Sequence, residues 1–308
     1  MPGLKELTDN RELIAGGHRL CQGCGASIIV HQALQVVDNP LVVGAATGCL
    51  EVSTSIYPFT SWRCSFIHNA FENVAATVSG VETAYRALKK RNKLKDDFDF
   101  IAFGGDGGTY DIGFQSLSGT MERGHDLLYI CYDNQAYMNT GIQRSSATPK
   151  GANTTTSPAG KEIPGKKQYR KDLAAIMAAH NIPYVAQATP YHVKDFTGKV
   201  KKGLEVDGPA FINVLSVCPR GWRTPENEGI ELTQIAVQTN FWPLYEIEDG
   251  EYTLNRKPKE RRPIEDWLKP QGRFKHLFKE KNRPIIEEIQ KKVDQNWEQL
   301  LKTAGEKE

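Results

Sequence analysis

The sequence predicts an α/β protein, a mostly parallel sheet flanked by helices, with a C-terminal arm that contacts other subunits. Three observations carry this. Short apolar runs at 41–45, 100–103, 127–132, 184–186 and 210–215 alternate with segments of helical period, the pattern of strands joined by crossover helices. The apolar runs end in glycine or polar residues, as strands do at the ligand-binding edge of an open parallel sheet. The hairpin-like turn, Asp249-Gly250, comes late in the chain, where the alternation has already given way to basic and proline-containing sequence.

Taken in order, residues 18–25 read HRLCQGCG and place Cys21 and Cys24 in a C-x-x-C turn with glycines at 23 and 25. A redox dithiol, half a zinc site and half an iron–sulfur site all fit that spacing. No strand precedes Cys21, which weakens the dithiol reading, and metal ligation is preferred to an inert turn. A helix follows over 26–37, then the strand 41–45, which runs out into Thr47-Gly48-Cys49. Residues 51–71, rich in aromatics and hydroxyls, are expected to form an ordered loop lining a pocket. His68 and Glu72 within reach of it suit either acid–base work or simple capping of the next helix, 75–89, whose basic end is what a helix C-terminus favours.

The most informative stretch comes next. The run 100–103 stops at Gly104-Gly105-Asp106-Gly107-Gly108, a helix follows, and the run 127–132 stops at Asp133-Asn134, 28 residues after Asp106. Two neighbouring strand exits would thus present a carboxylate and an amide oxygen to one crevice. Hard oxygen ligands of this kind suit Mg²⁺, which shares its shell with phosphates, and the glycines would let the backbone approach a diphosphate closely. The competing reading is that Gly-Asp-Gly merely caps a helix. The polar tract 140–167 is too long for a routine connection. Its place directly after the motif favours an ordered loop over the site or around a partner over a disordered linker. Helix 172–180, strand 184–186, helix 193–204 and strand 210–215 continue the alternation, and the last strand exits at Cys218-Pro219. Beyond 220 the sequence is taken as a subunit-wrapping arm ending in a helix over 285–301, with an apolar stripe at 286, 289, 293, 297 and 300. The division expected is 1–219 for the binding domain and 220–308 for the extension.

Composition excludes several classes. The chain has 308 residues, 39% hydrophobic and 25% charged, and a net charge of +2 spread along it, which gives no footprint for nucleic acid. No run approaches the roughly 18 apolar residues of a membrane span, and the first 21 residues lack the apolar core of a signal peptide. A cytoplasmic location is expected. Of six cysteines, Cys131 lies within an apolar strand and Cys64 is isolated, which leaves Cys21, Cys24, Cys49 and Cys218 as a set with no cytosolic disulfide role.

The Gly105-Asp106-Gly107…Asn134 pattern resembles the thiamine-diphosphate fingerprint, in which the aspartate, the asparagine and a carbonyl two residues later, here Ala136, hold the metal. Together with C-x-G-C-G at 21–25, T-G-C-L-E-V at 47–52, Cys218-Pro219, W-P-L-Y-E-I-E-D at 242–249 and Q-G-R-F at 271–274, the chain is similar over nearly its whole length to the β subunits of 2-oxoacid:ferredoxin oxidoreductases. The resemblance implies the thiamine-diphosphate-binding fold. It implies thiamine diphosphate on Gly48, Gly105, Gly107 and the metal ligands Asp106, Asn134 and Ala136 (Mg²⁺). It also implies one 4Fe–4S cluster on Cys21, Cys24, Cys49 and Cys218, and contact of Asn139 with the 2-oxoacid. Such enzymes oxidatively decarboxylate a 2-oxoacid, give the acyl group to coenzyme A and pass electrons through the cluster to ferredoxin. The glutamate that activates the cofactor lies on the α subunit, so neither Glu51 nor Glu72 is given that role, and α, γ and δ partners (or fusions of them) are expected. Pyruvate is the first expectation for the substrate, ahead of branched-chain 2-oxoacids, 2-oxoglutarate and oxalate. A non-redox thiamine decarboxylase or carboligase would not need the four cysteines, and a zinc-stabilised interaction subunit would not need the Asp106/Asn134 pair.

Overall fold

The computed structural model describes residues 12–306; the N-terminal stretch inspected for a signal peptide lies in part, at 1–11, outside the described residues. Eight strands form one sheet: β1 (Leu41–Ala46), β2 (Ser65–Asn69), β3 (Asp99–Gly105), β4 (Leu128–Asp133), β5 (Tyr184–Ala188), β6 (Ala210–Leu215), β7 (Tyr245–Glu248) and β8 (Glu251–Leu254). Their order is β2-β1-β3-β4-β6-β5-β7-β8. The first six are parallel, and β7 and β8 add antiparallel at one edge.

The central strands are apolar on both faces because helices cover both. Along β3, Phe100 and Ala102 enter one core and Ile101 and Phe103 the other; along β4, Tyr129 and Cys131 oppose Leu128, Ile130 and Tyr132. Cys131 is fully buried among apolar side chains, as its place in the sequence leads one to expect. Helices Gly25–Leu34 and Val193–Glu205 pack on the face of Ile101 and Phe103; Val74–Lys90, Phe114–Glu122 and Leu173–Ala178 pack on that of Phe100 and Ala102.

Two stretches differ from the sequence reading, and a third, the tract 140–167, is the ordered loop it favoured. Residues 51–71 are not a continuous loop: they contain most of the short helix Cys49–Thr54 and the edge strand β2. The edge position explains the miss, since a strand covered on one side only (SFIHN, mostly half-exposed) shows no clean apolar run. The tract 140–167 has no helix or strand, yet Ser145, Ala147, Thr148 and Ala152 are fully buried and the tract folds back over the end of β3. Lys166 secures it, donating to the carbonyls of Ser145, Ser146 and Thr148. The second difference is the segment after 220. Its hairpin extends the sheet beside β5. Trp242, Trp267, Phe274, Leu277, Ile286, Ile289 and Val293 close a third core around Leu215, Val217 and Trp222. The final helix, Arg283–Thr303, buries 286, 289, 293, 297 and then Leu301, while Leu300 is half-buried against the core that holds Phe100 and Ala102. This segment therefore builds the chain's own core.

Candidate functional site

The topology decides where the site lies. From β1 the chain steps outward to β2, then crosses back to β3 on the other side of β1, so the strand order reverses between β1 and β3. Open parallel sheets bind ligands at the carboxyl ends flanking such a reversal. Four neighbouring strands leave the sheet there. β1 leads into Gly48 and Cys49, β3 into Asp106, β4 into Asn134 and β6 into Cys218.

Asp106 is fully buried and opens a π-helical turn, Gly107–Ile112, a geometry that concentrates at functional sites. Its Oδ1 accepts from the backbone N–H groups of Asn134 and Gln135, both at 3.1 Å, and its Oδ2 accepts from the Ser145 hydroxyl at 2.5 Å. Gln135 is left-handed (φ 69°), which turns two successive N–H groups toward one carboxylate. The Asn134 side-chain oxygen then lies 2.8 Å from Asp106 Oδ1 and 2.8 Å from the Ala136 carbonyl oxygen. Three acceptors face one another with no proton to share. Turning the amide over would satisfy them; so would a cation between them. An octahedron with metal–oxygen bonds of about 2.0–2.1 Å sets adjacent oxygens about 2.8–3.0 Å apart. The residues fit a magnesium ion.

A second carboxylate stands beside the first. Asp133 is fully buried, accepts from the Tyr110 hydroxyl at 2.8 Å and pairs with Arg170 at 2.5 Å, while Asn213 donates to the same Tyr110 oxygen at 2.7 Å. Burial, and next the charge of Asp133, push the Asp106 carboxyl well above the usual carboxylate range. A divalent ion would reverse that by favouring the ionised form. The glycines serve neighbours as much as any ligand: a side chain on Gly107 would strike the Tyr137 ring, and one on Gly104 the Tyr129 hydroxyl.

The cysteines assemble from separate segments. The C-x-x-C turn closes on itself (Cys24 N–H to the Cys21 carbonyl, 3.1 Å) and docks on the β6 exit through Gly25 N–H and the Val217 carbonyl at 2.9 Å. Gly23 has φ 69°, and a side chain there would run into the Glu226 carbonyl. Three of the four cysteines head helices. Cys24 precedes Gly25–Leu34, Cys49 begins Cys49–Thr54, and Cys218 precedes Pro219–Trp222, accepting from Gly221 N–H at 3.3 Å. Helix N-termini favour thiolate. Burial nonetheless raises the thiols of Cys24 and Cys49, and that of Cys218 to about 11, and the cysteines raise one another further as like charges. The Asn139 side chain acts on the Cys49 thiol in the opposite sense, lowering its pKa. Among the described residues, no three His, Cys, Asp or Glu side chains close on one point as ligands of a single ion. Backbone N–H groups directed at sulfur, and thiols close enough to feel one another's charge, are features that suit an iron–sulfur cluster.

His68 lies 3.3 Å from Glu51, which is buried and also accepts from Ser55; Glu72 is exposed near a helix start. The sequence reading gave no role to Tyr110, Asp133, Ser145, Arg170, Asn213, Trp222 or Arg273. Only Asp133 carried a signal, its place beside Asn134 at a strand exit. Behind Asp133 a cavity of about 390 Å³ is lined by Arg170, Asn213, Tyr245 and the final helix; neither Asp106 nor any of the four cysteines lines it.

Residues 44–214 match the family of thiamine pyrophosphate enzymes, C-terminal TPP binding domain. A pyruvate synthase subunit PorB of Thermotoga maritima is 54% identical over 97% of this chain and 94% of its own length. The chain belongs to the β subunits of the 2-oxoacid:ferredoxin oxidoreductases. A ketoisovalerate oxidoreductase subunit VorB of Pyrococcus abyssi is 45% identical over 94% of this chain and 92% of its own. The fold is shared with a 2-oxoglutarate:ferredoxin oxidoreductase from Magnetococcus marinus (TM-score 0.57, 21% identity, 73% of this chain and 81% of that one). A β subunit of this family is one part of an oxidoreductase, in accord with the sequence reading of both fold and activity. Among the described residues no helix is long and apolar enough to cross a membrane.

Proposed function

We propose that this β subunit binds thiamine diphosphate through Mg²⁺ and carries one 4Fe–4S cluster in a cytoplasmic complex. That complex decarboxylates pyruvate oxidatively to acetyl-coenzyme A and CO₂ and passes the electrons to ferredoxin. The observation that carries the reading is the trio of oxygens on Asp106, Asn134 and Ala136, the middle one spaced from the other two as neighbours are in a magnesium shell, at the carboxyl end of the sheet. Bound there, the cofactor would supply the electron sink for decarboxylation. This chain's own residues do the rest. Asp106, Asn134 and Ala136 hold the metal, Gly48, Gly105 and Gly107 border the diphosphate, and Asn139 orients the 2-oxoacid beside the Cys49 corner. Cys21, Cys24, Cys49 and Cys218 hold the cluster that takes the electrons. The domain 1–219 carries both centres; 220–308 packs on it and meets partner chains of α, γ and δ type, or fusions of them. The α partner supplies the activating glutamate. Support for coverage by another chain comes from Tyr57 and Phe59, 94% and 76% exposed just beyond the helix that Cys49 begins.

Pyruvate is favoured over a branched-chain 2-oxoacid because identity is 54% to the PorB subunit and 45% to the VorB subunit. The VorB relative keeps the branched-chain substrate as a second reading. The test is anaerobic co-expression with the partner subunits. Coenzyme A-dependent reduction of ferredoxin should be compared with pyruvate, 3-methyl-2-oxobutanoate, 2-oxoglutarate and oxalate as substrates, along with the same assays on the single chain. Pyruvate should give the highest kcat/KM and the single chain no turnover. A higher kcat/KM with the branched-chain acid would replace the substrate, and turnover by the single chain would overturn the division between subunits.

A further inference from the structure

Two arginines lie near the site, and they differ in what faces them. Arg170 is paired with Asp133 at 2.5 Å. Arg273, 2% exposed, has no carboxylate within ion-pair distance among the described residues. Its guanidinium lies 4.1 Å from the Trp222 ring centre, 5.0 Å from that of Phe274 and 5.7 Å from that of Trp267. It donates to two neutral side-chain oxygens, Gln135 Oε1 at 2.5 Å and Gln271 Oε1 at 2.9 Å. Cation–π contacts and amide bonds soften the loss of water, but a buried charge without a counter-ion costs several kcal/mol. Burial correspondingly lowers its pKa to about 9, and the charges that act against this lowering are those of Cys218, Asp133 and Asp106.

Its neighbours explain that placement. Trp222, on which the guanidinium stacks, donates its indole N–H to the carbonyl of Asn134 at 2.8 Å and its backbone N–H to the carbonyl of Cys218 at 2.8 Å. Gln135, which Arg273 grips, gives its own N–H to both Asp106 and Asp133. One guanidinium is thus linked through single residues to the oxygen centre and to the Cys218 exit.

We propose that Arg273 is a positioning residue shared by the two centres, holding Gln135 so that the Asp106–Ala136 oxygens stay gathered and serving as the buried counter-charge of a negatively charged cluster on Cys218 and its partners. The inference rests on the cluster assignment under Proposed function. A fixed positive charge beside a cluster favours the reduced state, which carries one more negative charge, and so raises its potential. The hydrogen bond to Gln135 acts on a different quantity, the affinity for the metal and diphosphate.

The two roles separate in two variants of the assembled complex, Arg273→Lys and Arg273→Met. Each is examined for iron content, for midpoint potential by a redox titration followed by electron paramagnetic resonance, and for thiamine-diphosphate affinity with Mg²⁺ by calorimetry. Both variants should bind the cofactor roughly tenfold more weakly, the loss of one charge-assisted bond. Only Arg273→Met should show a lower midpoint potential; Arg273→Lys, which keeps the charge, should stay near wild type. A wild-type potential in Arg273→Met at full iron content overturns the proposal. If Arg273→Met loses its iron, Arg273→Lys decides: full iron with wild-type potential supports the counter-charge, and loss of iron or an altered potential there overturns it. A wild-type complex without the cluster overturns the assignment beneath the proposal, a result distinct from a cluster that ignores Arg273.

Discussion

The oxygen-lined corner at Asp106 and the sulfur-lined corner at Cys49 share one edge of the sheet but are built in opposite ways. The oxygen corner hangs on two adjacent strand exits, and its carboxylates are already engaged. Asp106 accepts three hydrogen bonds, Asp133 pairs with Arg170, and Ser145 is fully buried with them. The sulfur corner draws on a turn and three helix starts from distant parts of the chain, and burial keeps its thiols toward the protonated form. Burial raises the Asp106 carboxyl as well as the thiols, so either corner would gain its charge only with an occupant. The difference is that the oxygen corner is already held in place by hydrogen bonds.

The largest expected effect tests the preorganised corner. Asp106→Ala removes the charged oxygen and takes an acceptor from three donors, so thiamine-diphosphate affinity in the assembled complex should fall by more than about a hundredfold with iron content unchanged. Unaltered affinity by calorimetry would mean that the diphosphate sits elsewhere. The mirror experiment is Cys218→Ala, which should cost the chain its complement of about four irons while cofactor binding persists. Cys131→Ala, in the apolar core, should keep the iron. Stoichiometric zinc in the wild-type protein, in place of iron and sulfide, would reverse the assignment of the sulfur corner. A smaller loss belongs to Asn134→Ala, which takes one neutral oxygen from the trio. Affinity should drop roughly tenfold, and a loss as deep as that of Asp106→Ala would show that the amide does more than complete the shell.

Much of this contrast was legible in the sequence, for a physical reason. Strands buried on both faces must be apolar throughout, so β3, β4 and β6 announce themselves, and the polar residues that end them are then fixed at one edge. Asp106, Asn134, Cys49 and Cys218 lie at or just past such exits, whereas Cys21 and Cys24 lie in a turn and Ala136 entered only through the resemblance to the family. Edge strand β2 did not announce itself, being covered on one side only. The network behind Asp106 could not be read either. Tyr110 and Asn213 are 103 residues apart and Tyr110 and Arg170 are 60 apart, and nothing local in the sequence links such partners. The tail after 220 shows the same limit. Its turn at Asp249-Gly250 was visible, but not that β7 would dock on β5 or that Trp222 and Trp267 would meet in a common core.

The smallest effect concerns the loop that closes the oxygen corner. Lys166 is 3% exposed and donates to the carbonyls of Ser145, Ser146 and Thr148, and burial, reinforced by Arg144 and Arg170, lowers its pKa from 10.5 to about 8. The unfolded chain keeps the proton up to the ordinary lysine range, whereas the folded chain releases it near pH 8. Between those values the unfolded state holds more protons, so raising the pH favours folding through this group. Lys166→Met removes the effect along with the three bonds. Urea midpoints of the two proteins, measured in parallel, should therefore diverge in favour of wild type above pH 8, by about 1 kcal/mol between pH 8 and pH 9. Below about pH 7 the difference should be constant, because both folded and unfolded wild-type chains then carry the charge. Parallel profiles across the whole range would show that Lys166 keeps its ordinary pKa and that water reaches it. The loop over Asp106 would then be more open than its hydrogen bonds imply, and the oxygen corner less sharply set apart from the sulfur corner.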